Sequence, residues 1–488
     1  MKVYMSVSRS GVIAAVIAAM LTWQTPVWGI DFKYPLLNDP LRTKPEVLKK
    51  GVILPGDTKP IPRWTSKKIS RPLTLGEAVD IALSNNPQVK SYWANIKVQA
   101  AALGEARAAY LPTVRGVLGQ TKDNIDYLRS SYSYLDTSVD RTTFLAGLSW
   151  LIFDFGGRGA HLREANHLLA AALASYNAAL QDALAKVTQA YFNAMIAKAD
   201  VKAATENEEI AQATLNSAKD REERGVVSRS DRLRATTAHD NTVLDNNRAQ
   251  GNYQKVLAVL GRIMGVPANT VITMPEYLPV KAAKMGKNLK EWLKIAEKNH
   301  PAIIAAKAQV KAAENQVRVA TSEGLPSVNF AANFYNNTRP GEAVSQVPLR
   351  EYTFGVVVNI PIFEGFANTY KIKGARDQVE QKKAQLADTE MQIALDLIRA
   401  YADTVSALRN LDVSAHLVQA AQEALAVSRR RYEMGAADIT ELLDTQAALS
   451  VARRERLRCL AEWHSARLRL LASAGRLGRT AVLKVGGQ

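Results

Sequence analysis

One pattern is written twice in this chain, and that duplication limits the folds open to it. Leu75 pairs with Leu289, Ala82 with Ala296, Pro87 with Pro301 and Leu111-Pro112 with Leu325-Pro326, all at an offset of 214 residues. Downstream the offset is 210: Phe144 pairs with Phe354, Phe153 with Phe363, Gly225 with Gly435 and Gly265 with Gly475. The register changes only between Pro112 and Phe144, where a loop can absorb four residues. Self-similarity at a fixed offset is the signature of a repeated structural unit. Whatever the chain builds, it builds from two equivalent halves, 72–265 and 288–475.

Within each half the texture is helical. No Pro occurs between Thr113 and Val266 or after Pro361, and these spans are rich in strong helix formers such as Ala, Leu, Gln, Glu, Lys and Arg. Arg158 to Arg224 is 67 residues and Ala367 to Met434 is 68. A helix of that length extends about 100 Å. Each long run ends at a single Gly, followed by a shorter return. The return is expected to combine Asp231 to Met264 with a second helix from Leu289 to Leu325 stacked upon it. The linker 266–287, with Pro267, Pro275 and Pro279, is then expected outside, near mid-length.

After each Leu-Pro the period switches to two. In "SVNFAANF" the residues Val328, Phe330, Ala332 and Phe334 share a face. In "YTFGVVVNIPI" the face is Phe354, Val356, Val358, Ile360 and Ile362, and in "TFLAGLSWLIF" it is Phe144, Ala146, Leu148, Trp150 and Ile152. The opposite faces carry Ser, Thr, Asn and Gly. Strands with one apolar and one small or polar face suit a transmembrane β-barrel, and they also suit a soluble half-buried hairpin. Two features favour the membrane. An isolated hairpin does not stabilise itself in water. The stretches Lys122 to Arg141 and Asn337 to Arg350 read as long polar loops of the outer kind. Four strands cannot close a barrel, which takes about eight at least, so the strands imply an oligomer.

The N-terminus reads as a secretory signal over 1–29, with Lys2 and Arg9 before the short apolar run "GVIAAVIAAML" and a small-residue site at "VWG". Residues 30–71 hold six Pro, from Pro35 to Pro62, with a seventh just beyond at Pro72, and read as an extended arm without its own core. The tail is 476–488. A formal charge of +17, or +15 without Lys2 and Arg9, would suggest nucleic acid in a cytosolic chain. In an exported chain with dispersed bases it points to anionic lipid head groups or a partly basic conduit, and no nucleic-acid partner is expected. Cys459 is the single cysteine, so no internal disulfide exists. The six His fit no metal spacing such as HExxH, GxSxG is absent, and "FGGRGAHLREA" lacks the third Gly of a dinucleotide turn. No enzyme, metal site or cofactor is expected.

These residues together resemble the TolC-like outer-membrane efflux channel family: the entry helix with Asn86-Pro87, the Leu-Pro junctions, "FDFG" and "FEGF" after the strands, and the Gly-containing hairpin tips, all duplicated in order over Leu73 to Gly475. The resemblance implies a mainly α chain with a membrane β part. Three chains would close a twelve-stranded barrel in the outer membrane of a Gram-negative bacterium, continued by an α-helical barrel across the periplasm. Such a homotrimer acts as a passive exit duct for efflux or type I secretion. A periplasmic adaptor and an inner-membrane pump of RND or ABC type would meet the tips, Gly225, Val226, Val227 and Ser228 with Gly435, Ala436, Ala437 and Asp438. Phe144, Leu148, Trp150, Ile152, Phe330, Phe354, Val356, Val358 and Ile360 would face outer-membrane lipid. The competing reading is a periplasmic coiled-coil scaffold without a channel.

By the same resemblance the gate lies beside the tips. Asp231 matches an acid of the first hairpin, and Tyr432 matches a Tyr that bonds across to that acid in closed channels. Glu441 and Asp444 match two acids that ring the entrance. Ala437 departs from the pattern, standing where some members carry a basic lock residue. Asp231 and Glu441 equally sit where first-turn acids favour a helix dipole, so capping and gating are both open readings for them.

Overall fold

The protein was analysed as a computed structural model, which describes residues 39–51, 57, 72–129, 133–267, 269–275, 288–337 and 349–485. The expected signal segment 1–29, most of the arm and residues 276–287 of the linker lie outside the described residues.

Each half runs short helix, longer helix, strand, strand, long helix, return helix. The first half is α2 (Leu75–Asn85), α3 (Pro87–Ala108), β1 (Thr113–Arg129), β2 (Ser133–Phe153), α4 (Gly157–Glu223) and α5 (Arg229–Met264). The second is α6 (Leu289–Asn299), α7 (Pro301–Glu323), β3 (Ser327–Asn337), β4 (Leu349–Asn359), α8 (Ala367–Glu433) and α9 (Ile439–Ser473). A short α1 (Glu46–Lys50) precedes them and α10 (Arg479–Val485) follows. Both long helices are 67 residues.

The single helix expected from Leu289 to Leu325 is broken into α6 and α7 at His300-Pro301, as α2 and α3 break at Asn86-Pro87. Pro has no N–H to donate and stands at the first helical position, while Asn86 and His300 accept from the amides that follow. The stacking expected along the return is also corrected. Gly265, at the end of α5, seats against Asn85 and Asn86 at the head of α3, and the Asn86 amide donates to the Ile263 carbonyl. Gly475, beyond α9, seats against His300 and Pro301 at the head of α7. Each return helix therefore stacks on the 22- or 23-residue helix of its own half, α5 on α3 and α9 on α7. Length could not decide this, because α3 and α7 are 22 and 23 residues.

The largest core lies at this mid-height belt, where Leu73, Ile81, Leu180, Leu184, Phe192, Leu260, Met264 and Met274 are all but fully buried. The described part of the linker packs into it, with Leu73 N–H donating to the Thr273 carbonyl and Lys198 to that of Met274. Chain ends are tied here too. Arg479 makes two 2.7 Å bonds to the Asp80 carboxylate, and Asp57 accepts from the first amides of α10. The described part of the arm, residues 39–51, meets α3, where Arg107 donates to the carbonyls of Leu41 and Arg42.

The four strands form one antiparallel sheet in chain order. Register sets the apolar residues in rows: Leu148, Ala332 and Phe354 in one, and Trp150, Phe330 and Val356 in the next. Two residues read on that face stand outside the regular ladder, both exposed. A β-bulge makes Ile152 the extra residue of β2, so Phe153 rather than Ile152 stands opposite Val328. Arg158 holds the bulge by donating to the Leu151 and Ile152 carbonyls at 2.6 and 2.9 Å. Ile360 lies one residue past β4, because Pro361 cannot extend the ladder and restricts the residue before it. The stretch Lys122 to Arg141, expected as a loop, is mostly strand: β1 and β2 stay paired out to Arg129 and Ser133.

Strand becomes helix through two consecutive left-handed residues in each half, Phe155-Gly156 and Gly365-Phe366. The glycine has changed places within the pair while the backbone path is kept.

Two measurements test the belt. A Cβ at Gly265 would stand 2.7 Å from the Asn85 carbonyl oxygen at φ +69°. Gly265→Ala is expected to cost at least about 2 kcal/mol, whereas Gly261→Ala, with its nearest contacts at 3.6 Å, should be neutral or mildly stabilising in thermal unfolding. Burial holds the His300 imidazole below its ordinary 6.5, with Asp396 opposing. The belt should therefore be fully stable above about pH 6.5 and lose stability as pH falls toward the lower folded value. His300→Asn, which copies Asn86, should flatten that slope.

Candidate functional site

The two tips share one backbone solution. In the first, Gly225 N–H donates to the Glu222 carbonyl and Val226 N–H to that of Arg221. In the second, Gly435 donates to Tyr432 and Ala436 to Arg431. Both are Schellman closures, with the glycine at φ +74°. Gly225, Val226 and Ser228 are exposed and Val227 half-buried; Gly435, Ala436, Asp438 and Ala437 repeat that pattern. Residues 221–230 and 431–440 thus follow the same backbone course, and side chains distinguish them.

At the first tip Ser228 caps α5 and Asp231 reciprocates. The Ser228 hydroxyl and amide both donate to Asp231 Oδ2, at 2.8 and 3.1 Å. Asp231 is therefore a capping residue in this chain. At the second tip Asp438 occupies the cap position without a side-chain cap bond. Its carboxyl is held below the usual carboxylate range, chiefly by the Thr440 hydroxyl at 3.0 Å and least by Arg234.

The expected bond from Tyr432 to Asp231 is not made. Tyr432 is buried in a small cluster with Leu215, Ala218, Ala235, Ile439 and Leu442, and its hydroxyl has no hydrogen-bond partner. Its ring lies instead under the Arg221 guanidinium, 4.7 Å from the ring centre, and Arg221 Nη1 donates to the Tyr432 carbonyl at 3.0 Å. Asp231 Oδ2 is engaged in the cap of its own helix, and Arg221 supplies the cross-hairpin bond.

Glu441 and Asp444 have separate surroundings. Glu441 pairs with Arg431 of its own hairpin at 2.9 Å. Asp444 is exposed and lines a cleft of about 600 Å³ between α4, α5 and α9. Asp200, Asp245 and Arg454 share that cleft, Arg454 lying 3.6 Å from Asp245. Burial pushes the Asp200 carboxyl up, Arg454 opposing and Asp245 reinforcing the shift. Among the described residues no group of three or more His, Cys, Asp and Glu is placed to hold a metal ion.

Sequence reasoning missed Arg221, Arg234 and Asp200. The offset of 210 could have drawn attention to the arginines, since Arg221 matches Arg431 while Arg234 matches Asp444, a charge reversal between the halves. Because the Tyr432 hydroxyl bonds nothing, Tyr432→Phe is expected to leave thermal stability unchanged or raise it by up to about 1 kcal/mol. A loss of more than that would restore a role for the hydroxyl.

The apolar sheet face fits lipid rather than water. Phe354, Val356 and Val358 are more than half exposed within one chain, and no helix among the described residues is long and apolar enough to cross a membrane. Comparison with known proteins agrees with this division of labour. The outer membrane efflux protein family matches the chain twice, at residues 78–266 and 292–476. Protein CyaE of Bordetella pertussis is 34% identical over 411 residues, covering 84% of this chain and 85% of that protein. The pyoverdine export outer membrane protein OpmQ of Pseudomonas aeruginosa is 25% identical over 78% of this chain and 80% of its own length. Among solved structures, the outer membrane protein VceC of Vibrio cholerae superposes with a TM-score of 0.71 at 18% identity, over 82% of this chain and 96% of that one. The chain belongs to the outer membrane efflux protein family, with its sheet in the outer membrane of a Gram-negative cell and its helices in the periplasm.

Proposed function

We propose that the protein is the passive exit duct of a tripartite efflux or type I secretion system, without catalysis or an energy source of its own. The observation that carries this reading is the separation of two surfaces. At one end of the 67-residue helices lies a sheet with an apolar face and two unpaired edges, β1 and β4. At the other, about 100 Å away, two exposed tips offer the same backbone hairpin.

Unpaired edges and an exposed apolar face require partners. Three copies of a four-stranded sheet give twelve strands, enough to close a barrel and remove every edge. The homotrimer then presents three pairs of tips to a periplasmic adaptor, and through it to an inner-membrane pump of RND or ABC type. Cargo selection belongs to those partners.

The test is direct. Membrane fractionation should recover a trimer from the outer membrane that resists mild heating. A soluble periplasmic monomer would overturn the duct. Val226→Cys should cross-link to the adaptor in cells, because Cys459 is buried and its thiol pushed up by burial, leaving the introduced thiol as the reactive one. Cross-linking restricted to other copies of this chain would remove the adaptor from the tips.

A further inference from the structure

We infer that a pocket in the wall, walled by α4, α5, α8 and α9 beside the linker, binds an amphiphilic anion: one carboxylate on a hydrocarbon chain. A single chain builds the pocket, which stands whether or not the assembly is a duct.

The pocket measures about 530 Å³, within the range of small-molecule sites. Its apolar lining comes from Met195 and Val201 of α4, Tyr253 of α5, Val418 of α8 and Leu457 of α9. Four cations share that lining. Lys198 and Lys202 stand four residues apart on α4, and Arg453 and Arg456 three apart on α9. Those spacings put each pair on one helix face. Glu206 is the one acid among the lining residues, and Arg453 holds it at 3.4 Å. Four cations against one acid leave the pocket with a net charge of +3.

The fold does not consume these cations. Lys198 donates once, to the Met274 carbonyl at 2.6 Å, and an ammonium has three N–H bonds to give. Arg456 spends Nη1 on the Leu411 carbonyl and the Ser414 hydroxyl, which leaves Nε and Nη2. Lys202 is exposed and has no hydrogen-bond or ion-pair partner among the described residues. The other arginines of the run "RRERLR" are spent elsewhere, Arg454 on Asp245 at 3.6 Å and Arg458 on Glu455 at 2.7 Å.

The second half of the chain shows the corresponding space filled. At the offset of 210, Lys198 answers to Leu408, Lys202 to Asp412 and Tyr253 to Trp463. Leu408 and Trp463 pack into one apolar cluster with Ala407, Leu411 and Leu460. From the α9 side, Arg453 and Arg456 answer to Val243 and Asn246. None of the four cations has a basic counterpart in the other copy.

Packing alone would favour the filled version, since an open cavity forfeits contacts and like charges repel. An apolar body with an anionic head makes good both deficits. The body supplies the missing contacts, and the carboxylate accepts charge-assisted bonds from the guanidinium and ammonium groups. A cationic amphiphile would meet the same walls but the wrong charge.

Calorimetric titration of decanoate into the purified protein in non-ionic detergent, against a detergent blank, tests the site. Two temperatures are used, so that a vanishing enthalpy at one cannot hide binding. Decanoate should fill one saturable site per chain. Acetate, which lacks the tail, and decylamine, which carries the opposite charge, should not. Lys202→Glu reverses a charge that bonds nothing within the described chain and should weaken decanoate binding at least about tenfold. Val418→Asp should do the same through the apolar wall. Heat-resistant trimer migration reports assembly of each variant; if Val418→Asp does not assemble, Lys202→Glu carries the test. Absence of saturable decanoate binding, equal affinity in Lys202→Glu, or acetate or decylamine binding as tightly as decanoate would each overturn the site.

Discussion

The rest of the architecture depends on a glycine seated in a helix break, and the chain makes that contact twice. Gly265 and Gly475 end the return helices in left-handed turns and press directly onto the backbone at Asn85–Asn86 and Asn299–Pro301. Such an approach is possible only without a Cβ, and only where the facing helix head has no unsatisfied amide to bury. Proline at the first helical position and a side-chain acceptor before it meet the second condition. The result is a wall in which two short helices run end to end beside one long one. Without that seat the return path would stop at mid-height, and only the two long helices would join sheet and tips.

Duplication gives equal lengths but unequal roles. The first long helix, α4, buries 26 residues, many of them alanines that allow close helix approach, while its counterpart α8 buries 10. The difference follows from position. Helix α4 packs against α3, α5, α7 and α9, whereas α8 packs against α7 and α9 with a smaller contact to α6. Large apolar side chains of α8, including Ile398, Val413, Leu417 and Val427, remain exposed in one chain. A wall closed by copies of itself needs one helix that is interior to the subunit and one that waits at its rim. The same asymmetry explains why neither long helix shows a clean amphipathic stripe: α4 is surrounded, and α8 is covered in stages.

Much of this was legible in the residues. The absence of Pro gave the two long helices and α5 to within about two residues, whereas Pro301 broke the helix expected from Leu289 to Leu325. Period-two alternation picked out the apolar face, because pleating leaves no other way to segregate it. The misses each arose where a local rule met a nonlocal partner. Ile152 obeyed the alternation, but the bulge is fixed by Arg158, six residues on and in another element. The stacking of α5 on α3 was hidden because α3 and α7 have nearly the same length. For Asp231, where capping was one of two open readings, the cap is made with Ser228, three residues before it. No periodicity signals Arg221, whose partner lies 211 residues away.

The tips show how a duplicated structure acquires a mechanism without changing its backbone. Both turns are closed by the same pair of amide-to-carbonyl bonds around a left-handed glycine, and these bonds lie wholly within each hairpin. They survive any rigid displacement of one hairpin against the other. What such a displacement breaks is the set of side-chain contacts between hairpins, and at the tip those are few, partly exposed and centred on two arginines. Exposed ion pairs contribute little to global stability, so evolution can alter them without endangering the wall. The helices keep their length and packing through the belt, the closures keep the tips intact, and the two hairpins differ only in the side-chain contacts laid over one backbone.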